Sequence, residues 1–156
     1  MKLSNIQMLI LRLAIAGLFL SIGIEKYHEG WLTTSEHLAG SLNKYHQNAS
    51  DVQLTYLDQV ALPYVGVWSK LILVGELLLG VSLLLGMLVR CAAALGIFMV
   101  LNFHAANGNL FTLSFFGSPW AALLIAGLVV LFLSRAGRWA GIDALLATWN
   151  NKSIFW

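Results

Sequence analysis

The sequence predicts an all-α integral membrane protein, a four-helix bundle with short amphipathic interfacial helices between spans one and two. Three observations predict it. The 156-residue chain is 59% hydrophobic and 10% charged, where soluble domains carry roughly a quarter charged residues, so it has too few polar groups to cover a water-facing surface. Its apolar residues gather into four stretches, about 6–24, 64–85, 88–104 and 119–133. Seven of its sixteen charged residues (Glu25, Lys26, Glu29, Glu36, Lys44, Asp51, Asp58) fall within 25–63, which makes that stretch the one long polar segment. The whole of 1–156 reads as a single membrane domain.

Span one, 6–24, is interrupted only by Gln7, Arg12 and Ser21. At ~1.5 Å per residue it is long enough for a ~30 Å hydrocarbon core. Arg12, and the lack of a small-x-small exit before Glu25, argue against a cleaved signal peptide. Within 25–63, Thr33-Thr34-Ser35-Glu36 opens one helical pattern with Leu38, Leu42 and Tyr45 on a face. Ser50-Asp51 opens a second with Leu54, Leu57 and Ala61, giving two short amphipathic helices at the membrane surface. Span two follows Pro63, a residue suited to a helix start because it has no N–H to leave unpaired. It contains Lys70 and Glu76.

The few residues around Gly86 and Met87 force spans two and three into an antiparallel hairpin. Spans three and four, 88–104 and 119–133, need tilt or a thin bilayer to cross, and the uncharged connection Ala105–Ser118 is expected in the interface or folded back on the bundle. Gly17-x-x-x-Ser21, Ser82-x-x-x-Gly86 and Ala92-x-x-x-Gly96 offer small-residue contacts for close helix packing. Lys2, Arg90, Arg135, Arg138 and Lys152 share one side of a four-span topology, while Lys26 and Lys44 on the other are accompanied by five acids. This asymmetry places both termini in the cytoplasm and the chain in the inner membrane. The N-x-S matches at Asn48 and Asn151 are short enough to arise by chance.

Ionisable side chains inside a span cost from ~2.5 to more than 10 kcal/mol and normally face a partner. Arg12 and Glu76 are the two clear cases. Counted from the cytoplasmic face they lie ~9 and ~14 Å deep, within reach of an Arg12–Glu76 pair, with Arg90 as the competing partner for Glu76. Such a cluster either locks the bundle or serves as a proton path or a site for an anionic or quinone headgroup.

Other chemistry is restricted by composition. Cys91 is the only cysteine, which excludes an internal disulfide or dithiol exchange. Net charge +2 without a basic stripe excludes nucleic acid as a partner. His28, His37 and His46 are nine residues apart, with no metal-binding spacing, so no metal is expected. His104, beside Asn102 and Asn107, reads first as an ordinary helix-end hydrogen-bonding residue, with contact to a quinone carbonyl or a single axial bond to haem or chlorophyll as the alternatives. No other span has a histidine for a two-histidine haem. No covalent cofactor is expected, and no G-x-S-x-G or phosphate loop is present. The segment 25–63 carries two Lys against five acids and would by itself repel an anionic substrate.

Three motifs in order resemble the DoxX/DoxD family of small four-helix membrane proteins. They are Leu11-Arg12 with Gly23-Ile24-Glu25-Lys26, then Gly75-Glu76-Leu77-Leu78-Leu79-Gly80 through Leu85-Gly86-Met87-Leu88-Val89-Arg90, and Ala136-Gly137-Arg138-Trp139-Ala140-Gly141-Ile142-Asp143. The resemblance implies a membrane subunit like that of the DoxD-type thiosulfate:quinone oxidoreductase, with Arg12, Lys26, Glu76 and Arg90 at the matching positions and quinone among them or near His104. Relatives that perform thiol chemistry use a cysteine pair, which this chain lacks.

Two functional expectations follow. One is an oxidoreductase subunit that binds quinone in the bundle and depends on a partner chain for its redox centre. The alternative is a non-catalytic structural or anchoring subunit of a larger respiratory or photosynthetic complex. Either has the lipid bilayer and other membrane subunits as partners.

Overall fold

The computed structural model describes residues 5–47, 49–110 and 119–149, the side chains of Pro119 and Trp149 excepted. Its elements are α1 (Asn5–His28), α2 (Glu36–His46), α3 (Asp51–Tyr56), a π-helical turn (Leu57–Ala61), α4 (Val65–Leu85), α5 (Val89–Ala106), α6 (Pro119–Ser134), a 3-10 turn (Ala136–Arg138) and α7 (Ile142–Trp149). Asn48, Asn151 and most of the connection between spans three and four lie outside the described residues.

Helices α1, α4 and α5 are each long and apolar enough to cross a membrane. The sixteen residues of α6 reach only ~24 Å. One boundary differs in a way that matters: α1 continues four residues past Ile24, so Glu25 and Lys26 are helical rather than part of the polar loop.

The four apolar helices form a ring in which α1 packs on α4, α4 on α5, α5 on α6 and α6 back on α1. Its core includes Ile15, Ala16, Phe19, Leu79, Leu83, Ala93, Leu128 and Leu131. Lipid tails are as apolar as leucine, so close packing rather than water exclusion must hold such helices together. The α1–α4 contact achieves this reciprocally. A Cβ on Gly80 would lie 2.7 Å from Leu20 Cγ, and one on Gly23 would lie 2.8 Å from Leu77 Cδ2. Each glycine is therefore a notch for the other helix's leucine. Gly96 is a third notch, with Leu128 of α6 at 3.2 Å. At Gly17 of the expected Gly17-x-x-x-Ser21 contact, by contrast, nothing among the described residues lies within 4 Å of a Cβ.

Gly86 ends α4 in the left-handed conformation (φ 65°), with Met87 N–H donating to Ser82 O and Gly86 N–H to Leu83 O, a Schellman closure of the last carbonyls. At the opposite end of the bundle, α2 and the α3–π segment sit as expected between spans one and two. Their buried face, Leu38, Leu42, Leu57 and Ala61, packs with Ala106 and covers the ends of α4 and α5. Gln53 Nε2 donates to Ala106 O at 2.8 Å, satisfying a carbonyl in the last turn of α5.

Candidate functional site

Lys26 Nζ donates to Glu76 Oε1 in an ion pair between α1 and α4. The reciprocal notches set this pairing. With Leu77 level with Gly23 and Leu20 level with Gly80, position 76 of α4 faces the last turns of α1. Glu76 is buried, at 8% exposure. Its second oxygen, Oε2, is buried without a hydrogen-bond partner among the described residues. The Lys26 ammonium also lies 5.0 Å from the centre of the Trp31 ring, and Trp31 is fixed from both ends. Its indole N–H donates to Glu29 at 2.8 Å, while its carbonyl accepts from the buried Ser69 hydroxyl at 2.9 Å.

The expected Arg12–Glu76 pair does not form. On the same register Arg12 stands about twelve residues, ~18 Å, from the level of Glu76, farther than an arginine reaches. Counting both spans from a common face misplaced them because α1 runs past the α4–α5 turn. Arg12 instead lies level with that turn and is 1% exposed. Its Nη1 donates to Ala136 O at 3.0 Å and Trp139 O at 3.4 Å, and its Nη2 to Ala140 O at 2.8 Å. Arg90 is not the partner of Glu76 either. Its Nε donates to Phe132 O at 2.9 Å and its guanidinium lies 5.0 Å from the Phe132 ring, joining α5 to α6. The four charges expected to form one network thus separate into a Lys26–Glu76 pair and two anchors at the hairpin end.

A partner that sequence reasoning did not assign completes the hairpin end. Asp143, 1% exposed, accepts from Leu88 N–H at 2.6 Å and Val89 N–H at 3.1 Å, the orphan donors at the start of α5. Leu88 is held at φ 50° there, a left-handed conformation costly for leucine. Burial pushes the Asp143 carboxyl above the usual carboxylate range, against the pull of the Val89 and Leu88 N–H groups and of the Arg12 and Arg138 guanidiniums. Asp143 N–H also donates to Gly86 O at 2.9 Å. A Cβ on Gly137 would overlap Asp143 Oδ2, and one on Gly141 would lie 2.6 Å from Gly137 O. The Ala-Gly-Arg-x-x-Gly-x-Asp tail was therefore the available signal: its glycines clear space for the acid and for the carbonyls that Arg12 collects.

At the α2–α3 end, the Tyr56 hydroxyl donates to Asn102 Oδ1 at 2.8 Å, and burial raises the phenol's pKa. His104 is buried on α5 with its ring edge-on to Phe103.

A family model described as DoxX matches residues 7–107, about two thirds of the chain. The chain belongs to the DoxX family. No match was found among curated proteins or among solved structures. The matched part of this DoxX protein contains Arg12, Lys26, Glu76, Arg90 and His104, whereas the Asp143 tail lies beyond it. As a site, the Lys26–Glu76 pair presents an N–H donor and a spare carboxylate acceptor side by side within a water-poor DoxX bundle. Such a pair can hold a polar headgroup or a proton.

Proposed function

We propose that this DoxX protein is a membrane subunit of a quinone-linked oxidoreductase, and that Lys26 and Glu76 are the groups through which it meets the quinone headgroup. The observation that carries the reading is the spare buried oxygen, Glu76 Oε2, beside a charged donor. A lone acceptor in an apolar bundle costs ~1–3 kcal/mol unless something donates to it, and a quinol hydroxyl is a donor soluble in that medium. Lys26 Nζ is the complementary donor for a quinone carbonyl. Quinone would supply the two-electron, two-proton acceptor, with electrons delivered by a partner subunit of the redox class. In this arrangement Lys26 and Glu76 orient the headgroup and hold the proton at Oε2, while Trp31 keeps the ammonium in place. We place the chain in the inner membrane with both termini cytoplasmic, on the distribution of Lys and Arg.

The test is the quinone content of the chain purified in mild detergent, together with the proteins that accompany it. Wild type should retain quinone and a partner that carries a redox centre, whereas a Lys26→Met/Glu76→Met double variant should insert, keep the partner and lose at least ~90% of the quinone, a tenfold drop worth ~1.4 kcal/mol. Undiminished quinone in the double variant would sink the reading and leave the pair as a lock between helices.

A further inference from the structure

We infer that the groove between the 31–35 turn and the start of α4 holds the phosphate headgroup of an anionic phospholipid. This groove, which shares Trp31 with the Lys26–Glu76 pair but contains neither of its charges, is an open cleft of about 490 Å³, within the range of small-molecule pockets. Thr33, Thr34 and Ser35 bring hydroxyls to one wall, that of Thr33 already donating to Gly30 O at 2.9 Å and those of Thr34 and Ser35 being the available donors, and Lys70 brings an ammonium to the other. Lys70 is exposed and has no ion pair or hydrogen bond among the described residues. No carboxylate lines the groove, although five acids lie between positions 25 and 63. The lining is thus positive where the neighbouring segment is negative, and phosphate oxygens are the complementary ligand.

The apolar part of the groove selects a lipid over a free anion. Val67 and Leu71 line it, and Val74 and Leu78 continue the same line down α4; all four are exposed. Their spacing of four, three and four residues keeps them on one face of the helix. An acyl chain can follow that stripe into the bilayer while the headgroup stays at Lys70, which lies ~8 Å along the axis from Val65. The Lys70 stem bridges the two environments. A zwitterionic headgroup would bring a second cation beside Lys70 with no acid in the lining to receive it, which favours an anionic lipid.

The experiment is native mass spectrometry of the full chain released from detergent, titrated with phosphatidylglycerol, with phosphatidylcholine, and with inorganic phosphate as competitor. Lys70→Gln should lower retained phosphatidylglycerol about tenfold and leave phosphatidylcholine unchanged. Gly66→Leu should narrow the groove and lower both; nothing lies within 4 Å of a Cβ there, so the helix accepts the side chain. Lys44→Gln, removing an exposed cation on α2, should match wild type. Wild-type phosphatidylglycerol retention by Lys70→Gln, or an equal loss in Lys44→Gln, would overturn the inference. Displacement of the lipid by millimolar phosphate would overturn it in favour of a free-phosphate site. Quinone content is read from the same samples and should not change in Lys70→Gln, so failure here is separable from failure of the Lys26–Glu76 reading.

Discussion

Lys26 and Glu76, fifty residues apart in the chain, meet as an ion pair across the α1–α4 contact. Neither helix alone can carry its charge through an apolar environment, so the register that the glycine notches impose leaves each charge partnered by the other. Removing one partner leaves an uncompensated charge, which costs ~3–5 kcal/mol when buried, whereas replacing both by apolar groups of similar volume is often neutral. We therefore expect Glu76→Gln or Lys26→Met alone to lower the thermal midpoint in detergent more than the Lys26→Met/Glu76→Met double variant does. Additive losses would show that the two side chains act independently.

Arg12 should tolerate no substitution, even lysine. Its fork donates to three carbonyls, and a single ammonium on a flexible stem cannot reproduce that planar arrangement. Arg12→Lys and Arg12→Met should both speed backbone hydrogen exchange in residues 136–143 by at least tenfold, with α4 unaffected near Glu76. Unchanged protection at 136–143 would mean the carbonyls are held by other contacts.

Asp143 supplies a pH dependence whose sign is fixed by burial. The folded carboxyl titrates above its unfolded value of ~3.9, so the stability it contributes is fully present below that value and is lost as pH rises through the folded pKa. Asp143→Asn does not titrate and keeps one oxygen for the Leu88 and Val89 donors. The melting advantage of wild type over Asp143→Asn should therefore shrink between pH 4 and pH 8. A gap that widens over that range would contradict the assignment.

Glycine substitutions should separate real helix contacts from apparent ones. Gly80→Ala places a Cβ 3.0 Å from the Leu20 backbone nitrogen, which rotamer changes cannot relieve, so it should cost ~1–3 kcal/mol. Gly17→Ala meets nothing and should leave the thermal midpoint unchanged or slightly raised. Equal effects would mean that α1 and α4 do not pack through the Gly80 notch.

Much of the fold was legible in the linear pattern. Hydropathy located the four apolar helices, Pro63 and Gly86 marked the ends of α4, and helical spacing of leucines found α2 and the α3–π segment. The site was legible only in part. Its charged residues stood out by their cost in an apolar span, but their partners did not, because partnership depends on how far each helix slides past the next. Extending α1 to His28 brought Lys26 to Glu76, and the overhang of α1 beyond the hairpin took Arg12 away from it.

Composition and periodicity alone determined that this chain is helical, that its spans lie in a membrane and that a few buried charges need partners. These follow from local physics, since a peptide in hydrocarbon must satisfy its own hydrogen bonds wherever its neighbours lie. Only the tertiary structure decided which charge meets which, that Asp143 caps α5, and that Lys70 faces a groove. Those outcomes hang on glycine notches that fix axial register to within one turn, and a one-turn shift moves a side chain ~5.4 Å, enough to exchange one partner for another.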